Sequence, residues 1–402
     1  MNSLWWQLPS PAAFLNLVDG DLRQGKNVIL ALPEYAPTGL REALAVQVKK
    51  NDFWDWRLVS LQEKDSSSDD PVRLLFNRLA LPIEAAPNSL FDRLPDPFIV
   101  PSRPTRLLNV KALVDCEAFC GKVIWLEGLT ESSWPSWHAF FEDYAHFCQN
   151  RCELERSLFC VPMVGTLTQQ LPTENKTLSI RPWRGVVDRL DMQLYISSQM
   201  AHNRVANTLE RNIKIAMSAE IAGTDPELAN SLSKLPFEEL LAPFETLKQM
   251  AKQRGWNEEQ VSKPEWHLGM LDEIEGTPIV HAAVLAMQAN QDSQNELRRR
   301  IWRGQIGVLF PFIEEQRVRL LEELEAFLEV PLETPFGTIT DIHDLEIGHI
   351  YYQVQNSQKS HKAKPLLKSL KNIRDTIAHL EPINATQLDE LRRLLKNLRK
   401  RS

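Results

Sequence analysis

Three short runs of continuously apolar residues constrain the fold of this chain more than any other feature. They are NVILALP at 27–33, GKVIWLEGL at 121–129 and SLFCVPMVG at 157–165. A strand with one face in water alternates apolar and polar residues, whereas a strand that is covered on both faces is apolar along its length. The runs therefore predict strands of a parallel sheet with helices on both sides.

The residues around the first run support this prediction. A helix is expected from the proline-bearing start at 9–11 to about Gly25, and a second helix in LREALAVQVKK at 40–50. WDWRLVSL at 54–61 is the expected next strand. The alternation of strand and helix is typical of an α/β sheet, which we place in the N-terminal part of the chain.

After about residue 185 the apolar residues recur at helical spacing instead. The segment at 297–328 is a long amphipathic stretch, in which Pro311 is expected to kink or break the helix. The fold class is therefore an α/β N-terminal domain followed by a mostly α-helical C-terminal half. The expected domains are 1–185 (α/β), 186–330 (helical) and 331–402 (a C-terminal helical segment with a basic tail).

The last two apolar-periodic runs, at 365–383 and 385–402, predict a helical hairpin. The Pro and Asn in LEPINAT supply the turn, and Thr386 is the expected N-cap of the second helix because its hydroxyl can accept a backbone hydrogen bond.

Composition excludes several classes of protein. Of 402 residues, 43% are hydrophobic and 25% are charged, which is ordinary for a globular chain and rules out a mostly disordered or fibrous one. No stretch approaches 18 consecutive apolar residues, so we expect no transmembrane helix and no membrane partner. The N-terminal residues lack the pattern of a secretory signal, and five cysteines suit a reducing compartment. We expect a cytoplasmic protein.

Charge is distributed unevenly along the chain. The net charge is −7, yet residues 356–402 contain 12 Lys and Arg against 4 Asp and Glu. A basic tail on an acidic body can bind nucleic acid or an acidic protein surface, and a solvated helical face has the same pattern. The candidate nucleic-acid-binding residues are Lys359, Lys362, Lys364, Lys368 and Lys371.

The segment after the first strand lies where a phosphate-binding loop lies in many α/β proteins. Such a loop has the pattern G-x-x-x-x-G-K-[ST], with glycines around the phosphates, a lysine for charge and a hydroxyl for Mg²⁺. When the pattern is aligned on Gly39, its first glycine is Glu34, its lysine is Leu40 and its hydroxyl residue is Arg41. The groups that hold ATP are missing, so we predict no cofactor.

The second apolar run ends in Glu127. An apolar strand that ends in an acidic residue is similar to the strand of nucleotide hydrolases whose acidic end ligates Mg²⁺ and activates water. Acidic residues also follow many ordinary strands. If residual ATP binding exists, Gly39, Arg41 and Glu127 are its candidate residues.

In this order of elements, residues 1–190 resemble the P-loop NTPases of the AAA+ and STAND type. The resemblance rests on the N-terminal strand–loop–helix, the VIWLEGL strand and the all-helical second half that such proteins usually carry. It implies a degenerate NTPase fold that is kept as a scaffold or adaptor, with another protein of the same system as its partner. Chains of this sort often belong to bacterial multi-protein systems, including defence against phage.

The segment RDTIAH at 374–379 resembles the R-x(4–6)-H motif of HEPN helical domains, several of which are RNases. The resemblance implies an alternative function as a metal-independent RNase. In it, Arg374 would bind the scissile phosphate and His379 would act at the ribose 2′-hydroxyl. The structural alternatives are an ion pair between Arg374 and Glu381, and a histidine that merely ends its helix.

Two C-x3-C pairs, Cys116 with Cys120 and Cys148 with Cys152, have a spacing that zinc sites allow. The first pair leads into a predicted strand and the second lies on a predicted helix, so we expect free thiols and predict no metal site.

Overall fold

The computed structural model describes nine stretches of the chain. They are residues 4–50, 54–61, 70–82, 108–149, 151–152, 155–200, 208–335, 337–356 and 362–399. Two compact units result: the sheet unit, Met1–Val186 with Trp266–Gly269, and the helical unit, Val187–Glu265 with Met270–Ser402. The segments predicted as separate pieces at 186–330 and 331–402 lie in the helical unit, apart from Val186 and residues 266–269.

A five-stranded sheet with only parallel pairs forms the centre of the sheet unit, in the order β2-β3-β4-β1-β5. Its strands are β1 (Asn27–Leu32), β2 (Asp55–Ser60), β3 (Lys122–Glu127), β4 (Leu158–Val164) and β5 (Leu178–Pro182). The predicted parallel sheet is confirmed. The three apolar runs are its three central strands, and the less apolar β2 and β5 lie at the edges, where fewer neighbours cover them.

Helices cover both faces of this sheet. They are α1 (Pro9–Arg23), α2 (Leu40–Lys49), α3 (Pro71–Arg78), α4 (Val110–Val114) and α5 (Trp134–Cys148). α1 packs on α2 and β1, and α2 packs on β2. On the other face, α3, α4 and α5 share one apolar cluster with alternate strand residues such as Ile29, Ile124 and Phe159. Successive side chains of a strand point to opposite faces of the sheet, so the core of this unit forms one apolar layer on each face.

The helical unit contains eleven α-helices and two short antiparallel hairpins among the residues that the structure describes. The helices are α6 (Arg189–Gln199), α7 (Thr208–Ala222), α8 (Pro226–Ser233), α9 (Phe237–Leu240), α10 (Phe244–Gln253), α11 (Glu258–Ser262), α12 (Ala282–Gln288), α13 (Gln291–Leu324), α14 (Ile347–Val354), α15 (Lys364–Ala378) and α16 (Ala385–Arg399). The hairpins pair β6 (Leu271–Ile274) with β7 (Thr277–Val280) and β8 (Leu332–Thr334) with β9 (Gly337–Ile339). The prediction of a mostly helical second half is confirmed.

α13 is the longest helix, with 34 residues, and it continues through Pro311. The predicted break at this residue is therefore wrong. Proline removes the hydrogen bond to the carbonyl four residues earlier, which belongs to Gly307. Both Pro311 and Gly307 are exposed. Water can then satisfy the freed carbonyl, which lowers the cost of keeping the helix intact.

The predicted hairpin consists of α15 and α16, which pack together. Its cap is Asn384 rather than Thr386: the Asn384 side chain accepts from the Gln387 N–H at 2.9 Å, and the Gln387 side chain accepts from the Asn384 N–H at 3.0 Å. The buried Gln305 of α13 donates to the Ile383 carbonyl and accepts from the Ile383 N–H. That pairing fixes the turn two residues earlier than the sequence suggested.

Candidate functional site

The loop after β1 lies at the sheet edge where open parallel sheets usually bind ligands. β1 continues through α2 to β2 at one end of the strand order, whereas its neighbour β4 continues to β5 at the other end. Connections that leave neighbouring strands in opposite directions open a crevice outside their carboxyl ends. We define the carboxyl edge as the loop at 33–39 together with the ends of β3 and β4.

The loop turns into α2 at Gly39, whose φ of 89° lies in the left-handed region that glycine adopts without strain. The Trp6 indole N–H donates to the Thr38 carbonyl at 2.9 Å. A Cβ atom on Gly39 would lie only 3.2 Å from the Trp6 Nε1 atom. The N-terminal tryptophan thus holds the turn, and the close approach favours glycine there for a second reason.

Glu34, at the position of the pattern's first glycine, is enclosed by other segments of the sheet unit. Its N–H donates to the His267 carbonyl at 2.8 Å. A Cβ on Gly269 would lie 2.5 Å from the Glu34 carbonyl oxygen, and a Cβ on Gly165 would lie 2.9 Å from the Glu34 Cγ. The backbone donor that would face a phosphate is therefore committed to the protein. No sequence pattern indicated that residues 266–269 belong to this unit.

Arg41 and Glu127, 86 residues apart, form an ion pair at the carboxyl edge. The Arg41 Nη1 atom lies 3.1 Å from both carboxylate oxygens of Glu127, and the Trp125 indole N–H donates to the same carboxylate at 3.0 Å. Ile124 lies in the cluster beneath α3–α5. Because side chains alternate along a strand, Trp125 and Glu127 face the side of α1 and α2, where Arg41 lies in the first turn of α2.

Neighbouring carboxylates stabilise the positive charge of Arg41. The hydrogen bond that Arg41 donates to Glu42 at 2.6 Å, together with the attraction of Glu127, raises the pKa of Arg41 despite partial desolvation. The same hydrogen bond lowers the pKa of Glu42. Arg41 therefore stays cationic, and the Glu127 carboxylate, which could otherwise ligate Mg²⁺ or activate water, accepts hydrogen bonds from the protein's own side chains.

The C-terminal candidates have different surroundings. Arg374 on α15 donates to Glu346, the residue before α14, at 2.6 Å. The expected alternative partner, Glu381, instead pairs with Arg298. His379 ends α15 and is exposed. Within residues 362–399, no hydrogen bond joins the Arg374 and His379 side chains.

The basic residues of this region lie along α15. Lys364, Lys368 and Lys371 share the helix face opposite the buried leucines and isoleucines, and Lys371 pairs with Asp375 at 2.7 Å. Lys362 precedes the helix and is exposed. Lys359 lies outside the described residues.

One buried charged cluster in the helical unit had no signal in the sequence analysis. Asp225 accepts from the His281 Nε2 at 2.9 Å and from the Arg254 guanidinium at 2.7 Å. The His281 Nδ1 accepts from the Ala283 N–H, which places the ring proton on Nε2. Asp225 and His281 are the N-caps of α8 and α12, so the cluster ties two helix starts to the end of α10.

Burial and hydrogen bonding set the charge states of this cluster. Burial lowers the pKa of His281, and the attraction of Asp225 does not fully reverse that effect. Burial alone would raise the pKa of Asp225, but the hydrogen bond from His281 and the charge of Arg254 bring it well below its ordinary value. Both ring nitrogens of His281 are hydrogen-bonded, and the cluster joins the starts of α8 and α12 to the end of α10.

The cysteines of the two C-x3-C pairs are free thiols. Burial raises the pKa of the Cys120 and Cys148 thiols. Across the described stretches, no group of three or more His, Cys, Asp or Glu side chains is placed to hold a metal ion.

Comparison of the chain with protein-family models, with curated proteins and with solved structures returned no match. None of the helices in the described stretches has the length and hydropathy that a bilayer crossing requires.

Proposed function

We propose that this protein is a non-hydrolysing scaffold or adaptor, built on an NTPase-like α/β unit whose nucleotide position is filled by its own side chains. The observation that carries the proposal is the ion pair between Arg41 and Glu127 at the carboxyl edge. In a hydrolase the acidic residue must be available to Mg²⁺ and water. Here it is bound to an arginine that stands where the metal-binding hydroxyl would be.

The loop opposes triphosphate binding in three further ways. Leu40 is buried and apolar where an ammonium group would neutralise phosphate. The Glu34 N–H is bonded to His267 and cannot donate to an anion. The Glu34 carboxylate would also repel one, because two like charges 4 Å apart at the protein surface cost about 4 kcal/mol. The ion pair bears on hydrolysis, because it occupies the acidic residue. It opposes nucleotide binding only weakly, since partly exposed pairs contribute about 0–1 kcal/mol, so the missing donors account for most of the opposition to binding.

The carboxyl edge still offers a surface to a protein partner. Tyr35 of the loop and Val164 at the end of β4 are 45% and 47% exposed, although both are large and apolar. Tyr35 has a φ of 63°, a region that bulky residues rarely adopt. Exposed apolar residues on a strained loop are typical of a recognition surface.

Isothermal titration with Mg·ATP and Mg·GTP tests the absence of nucleotide binding. We expect no saturable heat and no thermal shift for the natural chain at millimolar nucleotide. The triple variant Glu34→Gly, Leu40→Lys, Arg41→Ser restores the complete loop pattern at the same positions, and binding by this variant alone would assign the loss to these residues. Saturable binding by the natural chain, or phosphate release that Glu127→Gln abolishes, would refute the proposal.

A further inference from the structure

The outer edge of the sheet at β5 is closed to further strands. The pairing of β5 with β1 leaves the even-numbered residues, Leu178, Ile180 and Pro182, with their backbone groups facing outward. The Leu178 N–H donates to the Asn175 carbonyl, and the Ile180 N–H donates to the Glu174 carboxylate at 2.7 Å. Proline has no N–H. Blocking of this kind protects an edge strand from pairing with another chain.

The opposite edge, at β2, lacks this protection. The Asp55 and Leu61 N–H groups donate to carbonyls at the two ends of β3, at 3.0 and 2.9 Å, so the odd-numbered residues of β2 face β3. Three residues therefore direct their N–H and C=O groups away from the sheet: Trp56, Leu58 and Ser60. Among the residues that the structure describes, none bonds to these groups. Leu58 is 47% exposed although it is large and apolar, so this edge is open to an additional strand.

The sequence of β2 is complementary to itself in the antiparallel direction. When two copies pair about a two-fold axis at Trp56, Asp55 of each copy lies opposite Arg57 of the other. Trp54 of each copy lies opposite Leu58 of the other, and Trp56 lies opposite its counterpart. The outward residues then form the hydrogen-bonded pairs of an antiparallel ladder. The axis repeats every contact, as in the isologous interface of a homodimer.

The charges select this register among those that keep outward residues opposite one another. An axis at residue 57 places Arg57 opposite Arg57, and like charges directly opposite destabilise a strand pair. An axis at Leu58 places Arg57 opposite Val59, which is buried. Within residues 54–61 the charged side chains are Asp55 and Arg57, and they face each other across the pair when the axis lies at Trp56.

Asp55 and Arg57 also contact each other within one chain. The Arg57 Nε donates to the Asp55 carboxylate at 2.8 Å, and the Lys122 Nζ lies 3.7 Å from the same carboxylate. Both side chains nevertheless remain about half exposed, at 54% for Arg57 and 46% for Asp55. Exposed ion pairs contribute little free energy. The charges therefore set the register, whereas backbone hydrogen bonds and apolar contacts supply the affinity.

We propose that two copies of this chain associate through their β2 edges, antiparallel about a two-fold axis at Trp56, so that their sheets continue into each other. Strand addition of this kind uses main-chain hydrogen bonds for affinity and alternate side chains for specificity. The contact is small, so we expect a weak dimer with a dissociation constant on the order of 10 μM. The carboxyl edge takes no part, so the inference goes beyond the proposed scaffold function and does not depend on it.

Sedimentation equilibrium of the full chain over a range of concentrations tests for self-association. Leu58→Pro removes an outward N–H while leaving the bonds to β3 in place, and it should weaken the dimer by about tenfold or more. Hydrogen exchange of a peptide that covers 54–61 should slow as the concentration rises, whereas exchange of a peptide that covers β5 should not change. A chain that stays monomeric up to about 300 μM, or a dimer that a folded Leu58→Pro variant leaves intact, overturns the proposal.

Charge reversal tests the register without removing a backbone group. Asp55→Arg places arginine opposite arginine, and Arg57→Asp places aspartate opposite aspartate, so each variant alone should self-associate about tenfold or more weakly. A mixture of the two variants brings opposite charges together at both positions and should form a heterodimer about as tight as the natural dimer. Mixing cannot restore the ion pair within either chain, so recovery must come from the interface. Single variants that associate normally, or a mixture that fails to recover, refute the register.

Arg319 on α13 provides a matched control for Arg57. Its side chain is 53% exposed and pairs with Glu323, which is 46% exposed, so its surroundings are similar to those of Arg57 and Asp55. Arg319→Asp should change the dissociation constant by less than about twofold. A loss as large as that caused by Arg57→Asp would overturn the assignment to β2. Nucleotide binding by the natural chain would refute the proposed scaffold function and leave the dimer measurable, so the two failures are distinguishable.

Discussion

Gly304 permits the close contact between α13 and α7, and adding one methyl group there should destabilise the helical unit. A Cβ atom at Gly304 would lie 2.5 Å from the Met217 Cα, 2.6 Å from the Met217 N and 2.9 Å from the Ala216 carbonyl carbon. Ordinary contacts between such atoms are about 3.5–4.0 Å. All three obstacles are backbone atoms, so no side chain can rotate away, and the two helices must separate by about 1 Å.

The size of the effect follows from two opposing contributions. Overpacking a core typically costs about 1–3 kcal/mol, and a clash with backbone belongs at the upper end. Replacing glycine by alanine in a helix returns about 1 kcal/mol. Gly304→Ala should therefore lower the free energy of unfolding by about 2 kcal/mol. Gly307→Ala, one turn further along α13, has no atom within 4 Å of the new Cβ and should raise it by about 1 kcal/mol.

Urea unfolding of the full chain, followed by hydrogen exchange of peptides from α7 and α13, measures both variants in the same unit. The two single-methyl changes should move stability in opposite directions, with a gap of about 3 kcal/mol. Equal stabilities of the two variants would show that α13 and α7 do not approach each other as closely as described.

Three other predictions concern the helical unit. The pKa of His281 is lowered in the folded state, so on acidification the unfolded chain binds this proton before the folded chain does. The free energy of unfolding should therefore fall as the pH drops from about 7 to 5. His281→Asn should reduce this pH dependence, measured by urea unfolding across the same range. Asn384→Ala removes the observed cap of α16 and should lower the free energy of unfolding by about 1 kcal/mol, whereas Thr386→Ala should change it by less than about 0.5 kcal/mol. The chain should not cleave single-stranded RNA, because Arg374 is held by Glu346; cleavage that His379→Ala abolishes would instead support the RNase function.

The spacing of apolar residues along the sequence determined most of the helices and strands of the fold. Continuous apolar runs predicted the three central strands because a strand covered on both faces needs apolar side chains at every position. Helical spacing predicted α1, α2, α5 and the α15–α16 hairpin because that spacing reflects which face each helix buries. β5 escaped prediction because LSIRP is a short edge strand that is defined by its pairing with β1 and by no pattern of its own.

Only the tertiary structure decided the candidate site. The missing lysine and hydroxyl residue are visible in the loop itself, but the partner of Arg41 lies 86 residues away on another strand. The enclosure of Glu34 by Gly269 and the cluster of Asp225 with Arg254 and His281 depend likewise on distant segments. Residue spacing reports the local geometry of one helix or strand, whereas these contacts arise only when the sheet order and helix packing bring separate segments together.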